Sequence, residues 1–219
     1  MSTESGSSLF ALFAQRACGG AVVGTSRTLA LRLCICAIFT AATLSIACAE
    51  GEGEANAFLL RLNAAINALN GQIGAQALEA CAGFVASLLD VDAMAPVGAG
   101  RSWDEMSAVQ RAVYRSALAA RLARDCVAEN KDNAGQPARL LGVRRAESGD
   151  FLLATRVEQS GAASHTIIWR LPAAPQRRSR AIDLQVDGRS TALSFRDDAE
   201  RVFDRTGGDV EAVIRSLGR

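Results

Sequence analysis

Phe151-Leu152-Leu153-Ala154-Thr155-Arg156-Val157, then Ile167-Ile168-Trp169-Arg170-Leu171 and Ile182-Asp183-Leu184-Gln185-Val186, form the stretch on which the fold turns. In each segment the large apolar residues Phe151, Leu153, Ile167, Trp169, Leu171, Ile182, Leu184 and Val186 alternate with more polar or smaller neighbours. A period of two belongs to a strand with one wet face. Leu140 to Arg145 reads as a less regular fourth strand. The connections Gln159–Ser164 and Pro172–Arg180 are short and rich in turn formers, so the strands are expected to form an antiparallel meander.

Outward from this meander the period becomes helical. Upstream, Leu59, Leu62, Ile66 and Leu69 lie on one side of a helix that Asn70-Gly71 stops. A second helix, Gln76 to Leu89, gathers Leu78, Cys81, Val85, Leu88 and Leu89. Asp90 and Asp92 cap a short turn through Ala93-Met94-Ala95, which Pro96 ends. Ser102 with Glu105 and Ser107 with Gln110 both match a capping box, and Ser107 is the better start for a long helix to about Val127. Arg111, Arg115 and Arg124 are expected on its wetter side. Downstream, Ser194–Arg205 and Asp209–Leu217 are helical, parted by Gly207-Gly208. No internal repeat is visible. Helices, meander, helices is the order of an α+β fold, with helices packed on one face of a four-stranded antiparallel sheet.

The 219 residues are 49% hydrophobic, 21% charged and 5% aromatic, which excludes intrinsic disorder, collagen-like repetition and a disulfide-packed miniprotein. With 24 basic against 23 acidic residues, the chain as a whole has no attraction for nucleic acid or anionic lipid.

The N-terminus has its own pattern. Residues 33–49 carry no charge, Arg16, Arg27 and Arg32 precede them, and Ala47-Cys48-Ala49 is an A-x-A cleavage site. Residues 1–49 therefore read as a secretory signal peptide and 50–219 as a single exported domain. A retained anchor and lipidation at Cys48 are the competing readings. Loss of three arginines and one glutamate with the leader leaves 21 basic and 22 acidic residues. Of the six cysteines only Cys81 and Cys126 remain, and in an oxidising compartment they are candidates for a disulfide. No C-x-x-C occurs, so neither a zinc site nor thioredoxin-like chemistry has its signature.

Enzyme motifs are missing too. The chain has one histidine, His165, at the edge of a strand, and no G-x-S-x-G elbow, phosphate loop or H-E-x-x-H helix. A hydrolase built on His165 is the weakest of the readings. Asp90 and Asp92 are explained as helix caps, and Arg177-Arg178-Ser179-Arg180 as a solvated loop. The expectation is a protein that is not an enzyme and needs neither cofactor nor metal.

From Phe84 onward the chain resembles the MlaC family of periplasmic phospholipid-binding proteins, the toluene-tolerance auxiliary component of an ABC transporter that maintains outer-membrane asymmetry. The resemblance rests on Asp90-Val91-Asp92-Ala93-Met94-Ala95, on Gly100-Arg101-Ser102-Trp103, and on Ser107, Gln110-Arg111 and Tyr114. It continues in Asp183-Leu184-Gln185-Val186-Asp187-Gly188, Arg196, Val202, Phe203 and Gly207-Gly208-Asp209 through Leu217. Arg189, Thr191 and Ala199 stand where the family has larger apolar residues, and Ala108 where it has proline. The resemblance implies a monomeric carrier that shuttles phospholipid between an outer-membrane lipoprotein or porin complex and an inner-membrane ABC transporter. A neighbouring branch is linked to hopanoid biosynthesis, which makes another lipid the alternative cargo. An exported structural or adaptor protein with a filled pocket is the alternative in a different class.

Such a role sets a physical requirement. Withdrawing a lipid exposes its chains at about 0.8 kcal/mol per CH₂, on the order of 25 kcal/mol for two long chains, which a surface groove does not supply. The expected answer is an apolar cavity between the sheet and the helices. Its candidate lining is Phe84, Leu88, Met94, Val97, Tyr114, Leu118, Leu153, Ile167, Trp169, Ile182, Leu184, Val186 and Phe203. The same side chains would serve an ordinary core, and what separates the two is unfilled volume.

Overall fold

The alternating stretch becomes the centre of an antiparallel meander. The computed structural model describes residues 53–130, 136–157, 164–173 and 180–218, so the proposed leader and the Arg177–Ser179 run lie outside the described residues. The sheet has the order β1 (Arg139–Arg145), β2 (Phe151–Val157), β3 (His165–Leu171), β4 (Asp183–Val186), β5 (Arg189–Ser190). Cross-strand pairs Leu153 with Trp169 and Trp169 with Leu184 put the apolar residues of three strands on one face. β1 is irregular as expected, with a register shift between Leu140 and Gly142.

The sheet has five strands where four are expected. Asp187 and Gly188, at φ 48° and 85°, turn the chain back so that Val186 pairs with Arg189. Consecutive positive φ values mark a tight hairpin turn, which Asp-Gly favours. The returning strand is only two residues long because Ser190 immediately caps the next helix, its hydroxyl accepting from the Leu193 N–H at 3.1 Å.

Residues 53–69 form α1, followed by α2 (Gly74–Leu88), α3 (Val91–Ala99), α4 (Ser102–Glu105) and α5 (Ala108–Asn130), and after the sheet by α6 (Thr191–Arg205) and α7 (Val210–Ser216). At the start of α5 the capping box closes as read: the Ser107 N–H donates to Gln110 Oε1 at 2.9 Å and the Gln110 N–H to Ser107 Oγ at 3.3 Å. α3 is longer than the short turn expected, running through Pro96 to Ala99. The carbonyl four residues back, which Pro96 cannot bond, belongs to the exposed Asp92. Asp90 caps α3 by accepting from the Ala93 N–H at 3.2 Å. α3 then passes α6 so closely that a Cβ on Gly100 would sit 2.8 Å from Arg196 Cγ, and the φ of 56° there also calls for glycine.

Arg111 and Arg115 are less wet than expected. Both lie over the Trp103 ring, at 5.2 and 5.1 Å, while Arg124 donates to the Leu217 carbonyl. Cys81 of α2 and Cys126 of α5 are joined as a disulfide with their Cα atoms 5.8 Å apart.

Candidate functional site

α1, α2 and α5 face the sheet across a gap. α1 contributes Leu62, Ile66 and Leu69, α2 contributes Phe84 and Val85, and α5 contributes Leu122 and Cys126. Opposite them stand Val157 of β2, Ile167 and Trp169 of β3, and Leu184 and Val186 of β4, with Leu89 and Thr191 closing the sides. The space measures about 410 Å³. A well-packed interior has few voids larger than a water molecule, whereas small-molecule sites occupy a few hundred Å³ and more.

The gap has a wet end and a dry end. Asp125, Glu129 and Asn130 from the last turns of α5, Gln136 on the approach to β1, and His165 at the start of β3 form most of the polar part of the lining. Glu129 and Gln136 are exposed, which places the mouth there. Along β3 the lining passes from His165 through Ile167 to Trp169, about 13 Å at the usual rise per residue.

Trp169 is the floor. It is 2% exposed and packs at a tilt against Phe58 and Phe84, ring centroids 5.3 and 6.5 Å away. Its indole N–H donates to Thr155 Oγ1 at 2.9 Å, and that hydroxyl donates to the Ile167 carbonyl at 3.3 Å. The one polar atom of the ring is thereby satisfied inside the sheet, so the ring meets the cavity as hydrocarbon.

The walls are tied in different ways. The disulfide joins α2 to α5. Asn63 clamps α1 to the chain before β1, donating to the Ala138 carbonyl at 3.2 Å and accepting from the Ala138 N–H at 2.8 Å. At the mouth, His165 Nδ1 lies 2.9 Å from Asp187 Oδ2, and the Thr166 N–H reaches the other oxygen at 3.4 Å. The hydrogen bond to His165 is the main reason that the Asp187 carboxyl is held below its ordinary range. Asp125 pairs with Arg121 at 2.8 Å.

Of the residues expected to line a cavity, the structure brings Phe84, Ile167, Trp169, Leu184 and Val186 together around it. Leu88, Met94, Tyr114, Leu118 and Leu153 are 0% exposed and belong to the solid core rather than the lining. Val97 is 43% exposed, and Ile182 and Phe203 are half-buried outside the lining. The apolar periodicity is correct, but the space in front of Leu88, Met94, Tyr114, Leu118 and Leu153 is filled, while Val97 meets solvent. The lining also includes Leu62, Ile66, Leu69, Val85, Leu122 and Val157, which sequence reasoning did not select. The first three form the apolar stripe of α1, and that stripe was the signal available for them.

These features define an α+β binding protein with an apolar cavity, open at one end, between its sheet and its helices. The family model described as MlaC protein matches residues 60–219, and the chain belongs to that family. Among solved structures, the phospholipid-binding protein from Ralstonia solanacearum, determined in complex with a phospholipid, is similar at a TM-score of 0.59 and 14% identity. The alignment covers 76% of this chain and 92% of that one, a likeness of fold. No curated protein matches this chain.

Proposed function

We propose that this protein is an exported lipid carrier that holds the acyl part of a membrane lipid in the cavity and leaves the headgroup at the polar mouth. The cavity itself carries the reading: about 410 Å³ with a lining largely of hydrocarbon and, apart from Thr191 at its side, polar side chains gathered at one end. That arrangement matches an amphiphile end for end. Burial of the chain replaces the burial it leaves behind in a bilayer, so binding needs few headgroup contacts and release stays reversible. Family membership and the phospholipid held by the Ralstonia solanacearum protein point the same way.

On this reading the protein acts by stoichiometric transfer in the periplasm, between an outer-membrane lipoprotein or porin complex and an inner-membrane ABC transporter, after removal of residues 1–49. It is a binding protein and not an enzyme. His165 bonds Asp187, with no serine or cysteine in that hydrogen-bonded pair. The adaptor alternative requires a filled interior, and the open volume weighs against it.

The test is purification from cells without detergent, followed by native mass spectrometry. Co-purifying lipid, or uptake from vesicles, is the expected result. Ile167→Glu, which sets a carboxylate in the apolar wall, should abolish retention while circular dichroism stays unchanged. A protein that neither carries nor takes up lipid contradicts the proposal.

A further inference from the structure

We propose that the outer face of the sheet docks on the surface of an anionic bilayer, with Arg139 and Arg156 taking lipid phosphate groups. Leu153 and Val157 of β2 face the core and the cavity, so Leu152, Ala154, Arg156 and their cross-strand partners stand on the other side of the meander. There Arg139 of β1 is directly opposite Arg156 of β2. Opposed residues of an antiparallel pair have Cβ atoms about 5 Å apart, and like charges at that spacing are destabilising. Neither arginine has an ion pair among the described residues, and the Arg156 Nε is shielded from solvent with no hydrogen-bond partner there. A local conflict of this kind, in a fold that otherwise obeys its own rules, is expected where function requires it. Two adjacent guanidinium forks suit phosphate oxygens, which they bind in pairs.

The rest of the face fits the same partner. Arg144 pairs with Leu152 across β1 and β2, and Leu152 with Arg170 across β2 and β3, so a second basic row crosses the far end. Between the rows lie Ala154 and Ile168, which with Leu152 stand outside the hydrophobic core. Arginines that bracket a shallow apolar strip match the phosphates and the upper acyl region of a bilayer. The carboxylates nearby are engaged. Asp150 accepts from Arg170, Ser148 and the Ala173 N–H, Asp183 from the Ser190 hydroxyl and the Ala192 N–H, and Asp187 bonds His165. Glu147, in the turn between β1 and β2, is exposed beyond the far row. The Arg139–Arg156 row lies at the mouth end: Arg156 precedes Val157 of the cavity wall, and its other cross-strand neighbour, Thr166, follows His165. Docking therefore brings the sheet side of the mouth to the membrane, while Asp125 and Glu129 belong to α5 across the gap. With basic and acidic residues nearly equal in number, only such a patch steers the chain to an anionic surface.

The experiment is vesicle co-sedimentation. The protein, expressed from its full coding sequence, is mixed with vesicles of phosphatidylcholine alone or of phosphatidylcholine with phosphatidylglycerol. The expected result is binding to the phosphatidylglycerol vesicles only, weakened by salt. Arg139→Gln and Arg156→Gln should each lower the affinity about fivefold, and together about thirtyfold. Arg201→Gln with Arg205→Gln on α6 removes the same charge and should leave the affinity unchanged. Because the two cross-strand charges repel, the Arg139→Gln, Arg156→Gln protein should unfold at the parent's denaturant midpoint or above it. Binding to neither kind of vesicle, equal binding to both, undiminished binding by that variant, or a fall in its midpoint overturns the inference. So does a midpoint raised by inorganic phosphate in a protein that ignores vesicles, which assigns the pair to a free anion. Native mass spectrometry reads the carrier proposal separately: the variant should keep the lipid that the parent carries, and a parent that docks without carrying or taking up lipid overturns the carrier reading alone.

Discussion

The two ends of the sheet's inner face are built from the same kinds of residue and packed in opposite ways. Towards the end of β3 that carries Leu171, the side chains of Met94, Tyr114, Leu118 and Leu153 leave no exposed surface. Towards the end that carries His165, side chains as apolar as these border about 410 Å³ of open space. Hydrophobicity is thus the same property in both halves, and its outcome depends on what stands opposite. In the closed half it is converted into stability, and in the open half, on the proposed function, into affinity for another molecule's hydrocarbon.

The sharpest way to break this contrast is to remove the tie across the hollow half. Cys81→Ser with Cys126→Ser, which opens a link spanning 45 residues, should cost about 4 kcal/mol, read as a shift in the denaturation midpoint. Leu118→Ala in the solid half comes next: it creates a void among fully buried neighbours and should cost about 3 kcal/mol without altering lipid capacity. Ile167→Ala removes a similar volume from the wall of a space that already exists. Its cost should be about 1.5 kcal/mol, and its main effect should appear in lipid retention. Equal costs for the two substitutions would erase the distinction between the halves.

A pH experiment sharpens the contrast further. At the closed end, burial pushes the Asp150 carboxyl up. Hydrogen bonds from Ser148, Arg170 and the Ala173 N–H, with the Arg170 charge, outweigh it and hold the group below its ordinary value of 3.8. A depressed carboxylate stabilises the fold above its unfolded pKa and loses that contribution as pH falls through the lower folded value. Asp150→Asn should therefore cost about 1 kcal/mol at neutral pH, discounted for the partly exposed Arg170, and the difference from the parent should shrink below about pH 4. The Asp187 carboxyl at the open end is depressed as well, but the pair is exposed and His165→Ala should change stability little.

A further small effect, of opposite sign, is expected at Tyr114. Its ring packs edge-on to Trp103 with centroids 6.1 Å apart, while its hydroxyl has no hydrogen-bond partner among the described residues and burial pushes the phenol pKa up. Tyr114→Phe should be neutral or stabilise by up to about 1 kcal/mol in thermal unfolding, because it removes an unsatisfied buried group.

The same contrast explains what the sequence made legible. Alternation in Phe151–Val157 and Ile167–Leu171, the capping box at Ser107 and the apolar spacing of α2 and α5 are local properties, and they appear in the structure close to where they were read. β5 escaped because a strand of two residues has no period, though Asp187-Gly188 marked its turn. The lining was only half legible for a deeper reason. Periodicity says which way Met94 or Leu118 faces, and nothing in it says whether the space in front is filled. That depends on the partner element, here α1, whose Leu62, Ile66 and Leu69 precede the motifs that carried the resemblance.

The central claim is tested most directly by the two tryptophans, since Trp169 floors the cavity and Trp103 lies outside its lining under Arg111 and Arg115. Single-tryptophan variants, Trp103→Phe and Trp169→Phe, would be titrated with a lysolipid brominated near the end of its chain, and the fluorescence quenching compared. The account predicts strong quenching of Trp169 and none of Trp103. Bound lipid that leaves Trp169 unquenched, or quenches both alike, would contradict it.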